Sequence, residues 1–149
     1  MLMIGVLAGC QALQAIDPYE GWNTYSDPQG EFTLRYPADW TQTDATGEVQ
    51  FWDSFDDGKN SVKMVLVKKE GVQEKAIENP TKTVQETQPV TLNGKEVTVT
   101  RGTSLGTPYQ RYEYPFETFA FSITALFNDD TSEFRALATK VQESFKTLK

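Results

Sequence analysis

The 149-residue chain contains no histidine and one cysteine, Cys10. Without an imidazole there is no Ser-His-Asp or Cys-His nucleophile, no histidine-ligated zinc or haem, and no side chain whose ordinary pKa lies near neutrality. A lone thiol excludes an intrachain disulfide and any multi-thiolate cluster. Positive charge is scarce as well. The chain has 14 Lys and Arg against 21 Asp and Glu, a net −7 that repels phosphate backbones and argues against nucleic-acid binding. Long apolar runs are missing too: spanning a bilayer takes about 20 such residues, and no stretch approaches that. What is present is ordinary globular composition, 38% hydrophobic and 23% charged, at a length suited to one domain that buries its own core.

The first ten residues, MLMIGVLAGC, carry no charge. Leu7-Ala8-Gly9-Cys10 resembles the lipobox of bacterial lipoproteins, in which small residues precede a cysteine that takes a diacylglyceryl group and becomes the new first residue. The resemblance implies lipidation at Cys10 and stable attachment through two or more acyl chains. It also implies an extracytoplasmic location, at a periplasmic face or in a thylakoid lumen. No Lys or Arg precedes Cys10, so the positive start of such a signal is expected upstream of Met1. The competing reading makes Leu2 to Leu7 a buried segment and Cys10 a small core hydrophobe. On the first reading residues 1–9 are a signal-peptide remnant, 10–24 the lipidated cysteine and a tether, and 25–149 the folded domain. The polar stretch from Gln11 to Ser26, with Pro18, Gly21 and Asn23, has the composition of a tether.

From Glu31 the pattern alternates, with Phe32, Leu34 and Tyr36 on one face and Thr33 and Arg35 on the other, which predicts a half-buried strand ended by Pro37. Strands are also expected at Val49 to Trp52 and Val62 to Val67, joined through the acidic loop Asp53-Ser54-Phe55-Asp56-Asp57-Gly58. Asn93-Gly94 between Pro89–Leu92 and Glu96–Thr100 is a strong hairpin signal. Two more strands follow, Tyr109 to Tyr114 and a nearly continuous apolar run from Phe119 to Phe127 that should be central. The period then switches: Phe134, Leu137, Ala138, Val141, Phe145 and Leu148 define an amphipathic helix, with Asp130 and Glu133 as its capping box. The polar stretch between Gly71 and Gln88, broken by Pro80, reads as one short helix and a loop. The expected fold class is therefore α+β: an antiparallel β-sheet with a C-terminal amphipathic helix and a short middle helix packed on it.

The string from Tyr25 to Trp40, YSDPQGEFTLRYPADW, resembles the opening of PsbP-like domains, where a glycine precedes a Phe-bearing strand that runs into a Tyr-Pro-x-x-Trp step. The Asn-Gly hairpin, an aromatic strand and a terminal helix ending in Ser144-Phe145 follow in the same order. The resemblance covers residues 25–149 and implies an α/β/α sandwich. It also implies a role as an extrinsic or assembly subunit of photosystem II, carried by a lipoprotein in cyanobacteria. The chain departs from those members in being short between Lys68 and Val90 and in having no histidine.

Candidate chemistry is sparse. Gly102-Thr103-Ser104-Leu105-Gly106 matches the G-x-S-x-G nucleophile elbow in letters, but Ser104 has no histidine base and the segment joins two antiparallel strands, so the glycines read as loop residues. Asp53, Asp56 and Asp57 place hard oxygen ligands in one loop and are the candidate Ca²⁺ site, although Phe55 and Met64 break the EF-hand pattern. Their other reading is a solvated hairpin loop. Trp22 lies in the expected tether, where it docks on a partner or folds back on the domain. Tyr112 and Tyr114 share one strand face, with Arg111 and Glu113 opposite. These features are expected to make a non-catalytic, lipid-anchored protein that docks on a membrane protein complex, photosystem II or its assembly intermediates in a photosynthetic source. The alternative is an envelope lipoprotein that binds a small ligand or metal ion.

Overall fold

A computed structural model describes residues 16–53, 61–70 and 82–148. The alternating segments pair into two antiparallel sheets. The larger has seven strands in the order β3-β4-β5-β9-β8-β7-β6: β3 (Thr41–Ala45), β4 (Glu48–Trp52), β5 (Val62–Glu70), β6 (Lys82–Leu92), β7 (Lys95–Ser104), β8 (Thr107–Pro115) and β9 (Phe119–Phe127). The apolar run at β9 is central, as its sequence requires. The smaller sheet places β2 (Phe32–Tyr36) between β1 (Asn23–Ser26) and β10 (Lys146–Thr147). One helix, α1 (Ser132–Glu143), lies among the described residues.

Register puts the core on one face of the large sheet. Met64 pairs with Ala125, Leu66 with Ile123, Tyr112 with Ile123 and Tyr114 with Phe121, and all of these are buried. Against that face lie Phe32 and Leu34 of β2 and Ala138 and Val141 of α1. Phe145 is the centre of the packing, with ring centroids 4.5 Å from Tyr114, 5.2 Å from Phe121 and 5.3 Å from Phe32. Burying such a ring stabilises the fold by about 1.5–3 kcal/mol.

Several sequence expectations need correction. The segment 82–88, expected in a helix and loop, is the first part of β6, paired with β7 from Lys82↔Ser104 to Leu92↔Lys95. It is polar because it is an edge strand, with Thr83, Glu86, Thr87 and Gln88 exposed, and an edge position also accommodates Pro89. Residues 71–81 lie outside the described residues. α1 is capped by the Thr131 hydroxyl, which accepts from the Phe134 N–H at 3.2 Å. Asp130 instead ion-pairs with Arg135. The helix stops at Glu143, because Ser144 leaves it and Lys146 and Thr147 pair with Thr33 and Phe32. Part of the expected tether is folded as well, since Asn23–Ser26 forms β1 and Tyr25 is buried against Phe32 and Phe51.

A buried carboxamide couples the layers. Gln142 is fully buried, and its Nε2 donates to the backbone carbonyls of Gln110 and Ile123, both at 2.9 Å. Its Oε1 accepts from Gln110 Nε2 at 2.8 Å. Gln110 Nε2 also donates to Thr139 Oγ1 at 2.8 Å, and Gln110 Oε1 accepts from Arg101 Nε at 2.9 Å. Every polar atom of the pair is thus partnered, which is the condition for a buried network to stabilise. Gln142→Ala removes a second donor from two carbonyls within the sheet, leaves a buried Gln110 amide proton unpaired and opens a cavity, so it should cost about 3 kcal/mol. Differential scanning calorimetry would read this as a fall in Tm of about 6–12 °C. A fall corresponding to less than about 1 kcal/mol would show that the carboxamide does not couple helix to sheet.

Candidate functional site

Cys10, Asp56 and Asp57 lie outside the described residues. Asp53 closes the mouth of the β4–β5 hairpin: its Oδ1 accepts from the Val62 N–H at 3.1 Å, and its own N–H donates to the Val62 carbonyl at 3.4 Å. Among the described residues no group of three or more Cys, Asp or Glu is placed to hold a metal ion.

Ser104 is the last residue of β7, and Leu105-Gly106, both at positive φ, make the tight turn into β8. Gly102 has a different cause. A Cβ there would stand 2.0 Å from the Thr83 carbonyl oxygen, so only glycine lets β6 approach where its register shifts between Val84 and Glu86. The glycines of the hydrolase-like motif thus answer to backbone geometry, in a hairpin with no helix after it.

The aromatic residues divide by face. Tyr112 and Tyr114 point into the core, where Tyr112 donates to Glu143 Oε1 at 3.4 Å and Tyr114 donates to the Gln142 carbonyl. Arg111 and Glu113 are on the opposite face, as the alternation predicts, at 4.0 Å from each other. Trp22 folds back. Its ring lies 4.7 Å from Lys140 Nζ and 5.4 Å from Tyr19, whose hydroxyl donates to the Lys140 carbonyl at 3.3 Å. Arg35 completes the clasp, donating to the Tyr19 carbonyl at 2.9 Å and pairing with Asp17 at 3.7 Å.

Burial raises the phenol pKa values. Tyr112 is pushed up to about 12 by desolvation and then by Glu143, and Tyr25 up to about 12 by desolvation and then by Asp44. Tyr114 moves in the same direction for the same first cause. A raised folded-state pKa means that the native protein holds protons the unfolded chain has released. The stability these phenols contribute is therefore complete below about pH 10 and is lost as pH rises toward about 12. Urea titrations across that range should show falling midpoints, with the share of tyrosinate absorbance that belongs to Tyr25, Tyr112 and Tyr114, three of the six tyrosines, appearing only alongside unfolding. Full tyrosine ionisation at pH 10 in the folded protein would contradict the buried placement.

Among the depressions on the surface of the described residues, two bear on function. One, of about 420 Å³, runs between the β1–β2 turn and strands β3 to β5 over Tyr25, Phe32 and Phe121. Its rim is acidic, with Asp27, Glu31 and Asp44, and its lysine, Lys68, is held by Glu31 at 3.0 Å. The other, of about 460 Å³, lies between the β6–β7 turn, the end of β8 and β10. Tyr114, Phe116 and Phe145 form its aromatic floor, Leu92 one wall, and Lys95 and Lys146 stand at its edge. No sequence signal pointed to this second depression. It draws on three segments far apart in the chain, and only the Asn93-Gly94 turn and the Ser144-Phe145 pair mark their ends.

No family model and no curated protein sequence matches the chain. Solved structures do resemble it. The solution structure of cyanobacterial PsbP (CyanoP) from Synechocystis matches with a TM-score of 0.63 at 12% identity, over 96% of this chain and 99% of that one. A crystal structure from Bacteroides thetaiotaomicron matches with a TM-score of 0.58 at 15% identity over 87% of this chain, which spans about half (49%) of that longer protein. At these identities the likeness is one of fold, and the chain has a PsbP-like fold.

Proposed function

We propose that this protein is a non-catalytic, lipid-anchored extracytoplasmic domain that docks on a membrane protein complex, which in a photosynthetic source is photosystem II or its assembly intermediates. The observation that carries the reading is the end-to-end agreement in fold with cyanobacterial PsbP. Two sequence features support it. The Tyr36-Pro37 step ends β2 and turns Trp40 into the core, and Leu7-Ala8-Gly9-Cys10 has the form of a lipidation signal. A non-catalytic role is supported by the chemistry of the interior. Its shifted groups are tyrosines moved away from neutrality, and Ser104 has no imidazole to act as its base. A second reading, an envelope lipoprotein that binds a small ligand, is supported by the aromatic-floored depression beside Lys95.

Both parts of the proposal are tested in the native host, with tagged wild-type protein and Cys10→Ser, by membrane fractionation followed by crosslinking and affinity purification. Wild-type protein should be recovered from membranes together with subunits of one complex, and Cys10→Ser should move to the soluble fraction. Membrane association unchanged in Cys10→Ser would refute the anchor. Recovery of the crosslinked wild type without partner subunits would refute docking.

A further inference from the structure

We infer that the depression between the β6–β7 turn and β10 is a binding site for a small apolar carboxylate, a fatty or aryl acid whose anion meets Lys95 and Lys146 while its body lies on Tyr114, Phe116 and Phe145. The inference rests on this depression alone and holds for either reading of the protein's role.

Charge placement is the first argument. In a chain of net −7, a cation readily finds an acidic neighbour, and six of the ten Lys and Arg side chains among the described residues do. Arg35, Arg101, Arg111 and Arg135 are each ion-paired, and so are Lys68 and Lys69. Lys63, Lys95, Lys140 and Lys146 have no carboxylate partner among the described residues, and of these Lys95 and Lys146 line the same depression. Lys95 Nζ donates to Thr147 Oγ1 at 3.2 Å and lies 4.9 Å from the Phe116 ring centroid. An ammonium has three protons, so two remain for an anion.

The floor is the second argument. Half-buried Phe116 and Leu92 offer apolar area above the buried rings of Tyr114 and Phe145, and the volume of about 460 Å³ falls in the range of small-molecule sites. A sugar phosphate would set polar surface against those rings and leave it unpaired. A carboxylate on a hydrocarbon body satisfies both halves. The other depression lacks this character, because its rim is acidic and its lysine is already bound to Glu31.

The test is isothermal titration calorimetry of the full 149-residue chain with octanoate and 2-naphthoate, with 1-octanol as the neutral counterpart. One-to-one saturable binding of the acids is expected, with 1-octanol at least about tenfold weaker. Lys95→Gln with Lys146→Gln should weaken octanoate by about tenfold or more. Both residues are exposed, so the melting temperature should stay put and separate lost affinity from lost fold. Amide NMR shifts on titration should centre on Phe116 and Thr147. Equal affinity in the double variant, or equal binding of 1-octanol, would overturn the site. So would tighter binding of a short peptide's free C-terminus in the absence of octanoate binding.

Discussion

The carboxamide of Gln142 reaches from α1 to carbonyls of both β8 and β9, and the placement of the second layer follows from it. Two residues further on, Ser144 accepts from the Arg35 N–H at 2.9 Å, which joins the end of the helix to β2 and through it to the small sheet. Phe145 then drops into the aromatic cluster, and the chain emerges as β10. Helix, small sheet and large sheet are thus tied within four consecutive residues, 142–145. The same corner sets Phe145 beside Tyr114 and brings Thr147 to Lys95, so the aromatic-floored depression is a by-product of how the layers are locked.

How much of this was legible in the sequence depended on what each segment is made of. Strands β2, β5 and β8 were readable because one face of each is buried and the alternation records it, and β9 because its apolar run is nearly continuous. The β6–β7 turn was readable because Asn93 and Gly94 both take positive φ. The edge strands β1, β3 and β10 and the first half of β6 were not. Residues such as Thr41-Gln42-Thr43-Asp44-Ala45 carry no apolar alternation, and pairing to a neighbour makes them strands. The helix was expected one residue early at its cap, with Asp130 where Thr131 serves, and extended too far, since Phe145 keeps the helical spacing while Ser144 bonds to β2. Gly102 looked like a loop residue and is a strand residue under the Thr83 carbonyl, a cause visible only once β6 lies beside β7.

The candidate functional residues fared less evenly. Ser144-Phe145 was noticed as a pair and owes its identity to two tasks, a hydrogen-bonded exit from the helix and a central ring. Asp53 drew notice as a hard ligand and is a hairpin closure. Lys95 and Lys146 drew none, because solitary lysines in an acidic chain look like solubilising charge until their shared setting is seen. The molecule partners its buried polar groups internally, with Arg35 Nε the one exception among the described side chains. What it offers the outside is surface.

The clasp of Tyr19 and Trp22 on Arg35 and Lys140 has a geometric consequence for a protein held at Cys10. On the proposed lipidation of Cys10, seven peptide steps separate the lipid from Asp17, the first residue of the clasp among the described residues. Fully stretched, such a leash measures about 25 Å. The domain would hover within one small-protein diameter of the bilayer, tethered from its β2–α1 side. Its search for a partner would be confined to a thin slab above the membrane, where short reach becomes high effective concentration.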